Sequence, residues 1–123
     1  MERIKLLIAD DDRSLLQALG IRLAAAGYEV IAAVDGYQAV HFAQEHHPDI
    51  VVLDIHMPAG DGFSVQERMR KHCELHGTPV VYLTGDRTAE VRSMAEERGA
   101  ALVYKPFDTG ELLATIKETL AAC

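Results

Sequence analysis

Five short apolar runs alternate along the chain with five stretches in which apolar residues recur at helical spacing, and no other feature restricts the fold as much. The runs are IKLLIA at 4–9, EVIAAV at 29–34, IVVLD at 50–54, PVVYLT at 79–84 and ALVY at 101–104. Leu15, Leu16, Leu19 and Leu23 mark a first helix with Gly27 as its stop, and Ala39, Val40, Phe42 and Ala43 a second, ended by Pro48. Phe63, Val65, Met69 and Cys73 predict the third helix. Val91, Met94 and Ala95 predict the fourth, closed by Gly99, and Leu112, Leu113, Ile116 and Leu120 the last. Strict β–α alternation with nearly continuous apolar strands means a parallel sheet covered by helices on both faces. With right-handed crossovers, five such units give an α/β, doubly wound, flavodoxin-like sheet in the order 2-1-3-4-5.

Length and charge narrow the function. At 123 residues the chain fits one domain, and an excess of 19 acidic over 12 basic side chains gives a net charge of −7. That charge argues against a mainly electrostatic grip on nucleic acid or an anionic membrane. No apolar run approaches the ~20 residues of a membrane span, and MERIKLLIADDD is not a signal peptide. Cys73 and Cys123 are too few for a disulfide framework or a zinc site, and reduced thiols in the cytoplasm are expected.

In doubly wound sheets ligands bind beyond the carboxyl ends of the strands, where strand order reverses. Asp10, Asp11 and Asp12 follow the first run, Asp54 closes the third, Thr84 closes the fourth, and Lys105 follows the fifth. The first and third strands are neighbours in this order, so Asp10, Asp11 and Asp54 converge. Three carboxylates in one place need a cation, and hard oxygen ligands beside water suit magnesium. A carboxylate nucleophile, a divalent metal, an ammonium and a hydroxyl are what phosphoryl transfer requires.

These segments resemble the receiver domain of bacterial two-component response regulators. LLIADDDRSLL is similar to the family's acidic-pair segment, VVLDIHMPAGDG to its phosphoacceptor segment, VVYLTG to its hydroxyl-bearing strand and GAALVYKPF to its Lys-Pro-Phe segment. The resemblance implies that Asp10 and Asp11 bind magnesium directly or through water, with Asp54 and the backbone carbonyl of His56 completing the protein ligands. It implies that Asp54 accepts a phosphoryl group from a phosphohistidine of a sensor kinase or phosphotransfer protein. Thr84 and Lys105 then bind the phosphoryl oxygens, and the Lys105–Pro106 peptide is cis. The domain is expected to promote its own phosphorylation and dephosphorylation without turning over an external substrate. It should signal to an output partner or domain through the fourth helix, fifth strand and fifth helix, as a monomer or weak dimer. The sequence leaves open whether the chain stands alone or belongs to a longer protein.

Other readings stand beside this one. Asp10 and Asp12 form an Asp-x-Asp like that of haloacid-dehalogenase-type phosphatases, which would make Asp10 the nucleophile. A flavin-binding protein lacks support, because no Ser/Thr-rich loop follows the first strand. Asp12 is expected to cap the first helix. His41, His46, His47, His72 and His76 have no spacing that closes a metal site and are expected at the solvated surface. One departure stands out: three residues before Lys105 the family resemblance implies Tyr or Phe, and this chain has Leu102. Tyr104 precedes Lys105, but strand alternation sends those two side chains opposite ways, which makes Tyr104 a poor direct substitute.

Overall fold

The computed structural model describes residues 3–72 and 74–122. Within them five parallel strands, β1 (Lys5–Ala9), β2 (Glu29–Ala33), β3 (Ile50–Asp54), β4 (Val80–Thr84) and β5 (Ala101–Tyr104), form one sheet in the order β2-β1-β3-β4-β5. The helices are α1 (Arg13–Ala25), α2 (Gly36–His46), α3 (Gly62–Arg70), α4 (Ala89–Glu97) and α5 (Thr109–Ala121). This is the doubly wound order expected from the alternation.

Because side chains alternate across a strand, each strand feeds two cores. Leu7, Ala9, Val51, Leu53, Val80 and Tyr82 point into one core, with Ala39 and Ala43 of α2, Val65 and Met69 of α3, and Val91 and Ala95 of α4. Leu6, Ile8, Val52, Val81 and Leu83 point into the other, closed by Leu16, Leu19 and Leu23 of α1 and Leu112 and Ile116 of α5. The central strands β3 and β4 are buried throughout. The outer strands are not: β2 keeps Glu29 and Ala32 exposed, and in β5 only Val103 is fully buried. Reading every run as covered on both faces therefore overstates the burial of β2 and β5, which have a neighbour on one side only.

Every helix begins on a side-chain cap. Asp12, Asp35, Asp61, Thr88 and Asp108 accept from the backbone N–H three residues on, at 3.1, 2.8, 2.8, 3.4 and 2.7 Å respectively. Such caps contribute about 1 kcal/mol each, so part of the acidic excess stabilises helix starts rather than a site. Asp12 caps as expected. Helix α1 stops at Gly27, whose φ of 103° suits only glycine, and α4 at Gly99, with φ of 63°. The third helix is shorter than its apolar spacing implies: it ends at Arg70, Lys71 is its cap, and Cys73, like Cys123, lies outside the described residues. Helix α2 ends at His46, before Pro48, with His47 in the left-handed region at φ 49°.

Candidate functional site

Strand order brings four strand ends together. The N–H of Asp10 donates to Ala33 O at 3.1 Å, that of Ile55 to Leu83 O at 3.1 Å and that of Lys105 to Thr84 O at 2.8 Å, which levels the carboxyl ends of the sheet. There the carboxylates of Asp10, Asp11 and Asp54 converge, with one oxygen from each within 4.8 Å of the others. Asp10 and Asp54 are buried, at 0% and 6% exposure, while Asp11 faces solvent.

One cation meets this charge. Lys105 Nζ donates to Asp10 Oδ2 at 2.7 Å and stands 3.5 Å from Asp54 Oδ2. Burial and the Asp10 carboxylate push the Asp54 carboxyl above the usual carboxylate range, against the opposing pull of Lys105 and the His56 N–H. Burial works against the Lys105 charge, but Asp10 and Asp54 outweigh it and hold the ammonium's pKa up. One ammonium cannot balance three carboxylates, and the surplus is two negative charges on oxygen donors, of which Asp11 is exposed to solvent. That donor set fits a hard divalent cation.

Around this centre the neighbouring loops are tied to each other. His56 N–H donates to Asp54 Oδ1 at 3.3 Å, and its imidazole Nε2 lies 3.2 Å from Asp86 Oδ2 across the mouth of the site. Asp86 N–H donates to Thr84 Oγ1 at 2.9 Å, while Asp86 Oδ1 accepts from Thr88 N–H at 3.0 Å. That backbone hydrogen bond, followed by the contacts with Thr88 and His56, holds the Asp86 carboxyl below its ordinary range. The Lys105–Pro106 peptide is cis, as the resemblance implied. Met57 is buried under the loop after β3 and packs in the core with Phe63.

The structure thus brings together Asp10, Asp11, Asp54, Thr84, Lys105 and the His56 backbone, and leaves the other histidines outside the group. His41 and His47 are half exposed and pair with Glu45 and Glu74 at 3.5 and 3.3 Å, while His72 meets Gln44 at 2.7 Å. Sequence reasoning placed the His56 backbone at the site but missed that the His56 side chain meets Asp86, because that pairing depends on β3 and β4 being adjacent. It also missed Arg87, whose guanidinium lies 4.5 Å from the centre of the Tyr104 ring. Thr84 and Tyr104 are register partners, and Tyr104 shares with Leu102 the groove between α4 and β5.

A doubly wound sheet with an acidic trio, a hydroxyl and an ammonium at its carboxyl edge defines an α/β domain of the receiver type. The chain belongs to the response regulator receiver domain family, whose pattern matches residues 6–117, and is a receiver of two-component signalling. Among its relatives, the probable transcriptional regulator ycf27 of Porphyridium aerugineum is 37% identical over 98% of this chain, and that of Galdieria sulphuraria 41% identical over 92%. The chain spans about half of the first and 44% of the second. The chemotaxis protein CheY4 of Vibrio cholerae superposes with a TM-score of 0.90 at 32% identity, covering 96% of this chain and 99% of its own. The receiver domain of the Pseudomonas aeruginosa sensor kinase PA1611, which carries magnesium in its active-site cleft, shares the fold at TM-score 0.82 and 23% identity, covering 98% of this chain and 99% of its own. No helix among the described residues is long and apolar enough to cross a membrane.

Proposed function

We propose that residues 1–123 form one receiver domain in which Asp54 is the phosphoacceptor. The observation that carries this reading is the buried Asp54 carboxylate held between Asp10, Asp11 and the Lys105 ammonium. An Asp54 oxygen attacks the phosphorus of a phosphohistidine on a sensor kinase or phosphotransfer protein. The P–N bond breaks, the imidazole leaves, and an acyl phosphate remains on Asp54. Lys105 balances charge on the phosphoryl oxygens, and the Thr84 hydroxyl, which now accepts from Asp86 N–H, turns to donate to one of them.

Magnesium would be held by Asp10, Asp11, Asp54 and the His56 backbone carbonyl, and when bound supplies charge neutralisation for the equatorial phosphoryl oxygens. The magnesium in the PA1611 receiver and the surplus of two negative charges here support that choice. The same constellation lets the domain promote its own phosphorylation and, with water in place of the kinase, its dephosphorylation. The expected setting is the cytoplasm, where the kinases act. Output runs through the face formed by α4, β5 and α5 in a monomer or weak dimer. A chemotaxis protein and a DNA-binding regulator of Staphylococcus aureus both share this fold, so the fold does not select the output.

The test is to load the protein with acetyl phosphate and magnesium, trap the acyl phosphate by reduction, and map the modified residue. Modification at Asp54 supports the reading, and modification at Asp10 would replace it with the phosphatase alternative. Lys105→Ala should still bind magnesium, since the carboxylates remain and a competing ammonium is gone. Its conformational response to beryllofluoride should be mostly lost. A full response would make Lys105 only the counter-ion of Asp10.

Leu102 predicts a shallow switch. When Thr84 moves toward the phosphoryl group, space opens behind β4, and a leucine fills it with little change in surface. The groove of ≈ 230 Å³ that Leu102 lines with Tyr104, Arg92, Ala95 and Glu96 leaves room for a ring. Leu102→Tyr should therefore enlarge the NMR shift changes across α4 and β5 on beryllofluoride binding, since each ~1.4 kcal/mol of bias is tenfold in population. Large wild-type changes unaltered by the substitution would show that Leu102 does not limit the switch.

A further inference from the structure

At the end of the sheet away from the acidic site, α3, the segment after it and the turn between α4 and β5 enclose a cavity of ≈ 230 Å³. Its floor is apolar, built from the buried side chains of Met69, Leu75 and Val80. Its polar lining combines Gln66, His76 and Thr78 with two fixed cations, Arg70 and Arg98, and among the described residues no carboxylate borders it, in a chain of net charge −7. Among the described residues neither arginine has an ion-pair partner.

The two arginines are held in place by the protein itself. Arg70 Nη2 donates to Arg98 O at 3.0 Å, and Gln66 Nε2 approaches the same oxygen at 3.5 Å. Tyr82, buried in the centre of the sheet, donates its hydroxyl to Gln66 Oε1, which fixes the amide with its NH2 toward Arg98. The Arg98 guanidinium lies over the Phe63 ring at 5.1 Å, and its buried Nε has no hydrogen-bond partner among the described residues. A buried donor left unpaired is costly. Asp61 and Glu67 act on Tyr82 together with the two arginines, but among the described residues no carboxylate lies within ion-pair distance of either guanidinium, and that makes the cavity a place where an anion is favoured. The apolar floor adds that the anion should carry an apolar body, and the volume, below the range of drug-sized pockets, limits that body to about one ring. Inorganic phosphate, all polar surface, leaves the floor unused.

We infer that this cavity binds a small carboxylate carrying a compact apolar group, its carboxylate on Arg98 and Arg70 and its apolar part on Met69, Leu75 and Val80. The site is separate from Asp54 and does not depend on the phosphoacceptor reading. The experiment is a ¹H–¹⁵N NMR titration of the full chain with magnesium present, at constant ionic strength, using benzoate, the neutral benzamide and inorganic phosphate as probes. Benzoate should give saturable shifts at the amides of Gln66, Arg70, Thr78 and Gly99, with affinity near the millimolar level, and benzamide and phosphate should bind at least about tenfold more weakly. Arg98→Gln should weaken benzoate by a similar factor, and Arg70→Gln, at an exposed position, serves if the first variant is poorly folded. Equal binding of benzoate and benzamide, shifts centred on Asp54 and Lys105, or no saturation by benzoate would each overturn the assignment.

Discussion

Asp54→Asn should take up no phosphoryl group from acetyl phosphate in the presence of magnesium, where the wild type should take up one. The amide oxygen is a poor nucleophile and would have to form a high-energy imidate ester in place of an acyl phosphate. Intact-mass measurement reads the difference directly, and equal loading of the variant would sink the assignment of Asp54. The substitution should also act on stability, with the opposite sign. Burial and the neighbouring Asp10 raise the folded-state pKa of Asp54 above its unfolded value, so between those two values the native state binds more protons than the unfolded one. Stability therefore falls as pH rises through that window, and at neutral pH the ionised group is a standing cost. Without divalent metal, Asp54→Asn should melt at a higher temperature than the wild type at pH 7, with the advantage shrinking as pH is lowered into the acid range. Magnesium should reverse the order. A ligand at a hundred times its Kd stabilises by about 2.7 kcal/mol, and the wild type offers the fuller set of carboxylates. Melting curves with and without magnesium check both halves.

Much of this site was legible because its parts lie at strand ends, and strand ends are marked in sequence by the point where an apolar run stops. Asp54 after IVVLD and Thr84 after PVVYLT need only the sheet order to bring them together, and the alternation of elements supplies that order. The contacts that were not legible join loops rather than strands. His56 and Asp86 are separated by 30 residues and meet only because β3 and β4 are neighbours. Arg87 reaches Tyr104 because β4 and β5 are neighbours with Thr84 opposite Tyr104, and nothing in the spacing of Arg and Tyr encodes that. The end of α3 was misplaced for a related reason. Cys73 continues the apolar spacing of Val65 and Met69, but periodicity reports what a helix would bury, not where the chain leaves it. The helix caps show the converse: Asp35, Asp61 and Asp108 each stand one residue before a helix, a signal present in the sequence that apolar spacing alone does not use.

Gly36→Ala should be among the most damaging single-atom additions to this domain, although the residue bears no functional group. Gly36 opens α2, and its N–H donates to Pro58 O at 3.1 Å, so the helix start is bound to the loop that follows Asp54. A Cβ there would overlap the Gly60 carbonyl oxygen and stand 2.6 Å from that of Ala59. Both obstacles are backbone, and neither can swing aside as a side-chain tip could. Ala59 and Gly60 already sit at positive φ, 55° and 116°, in a conformation with few alternatives, so relief must come from moving the loop or the helix as a body. Overpacking of this kind costs about 2–3 kcal/mol, or roughly 10 °C in Tm for a domain of this size. The loop carries Met57 and leads from Asp54 at the end of β3 into α3, so magnesium affinity should fall as well. Gly20→Ala is the control. Gly20 lies within α1 with nothing inside 4 Å of its added Cβ, and alanine there should stabilise by about 0.5–1 kcal/mol through helix propensity and a less flexible unfolded chain. Thermal melts of the two variants, with a magnesium titration of the first, would contradict this account if Gly36→Ala melted within a degree or two of the wild type.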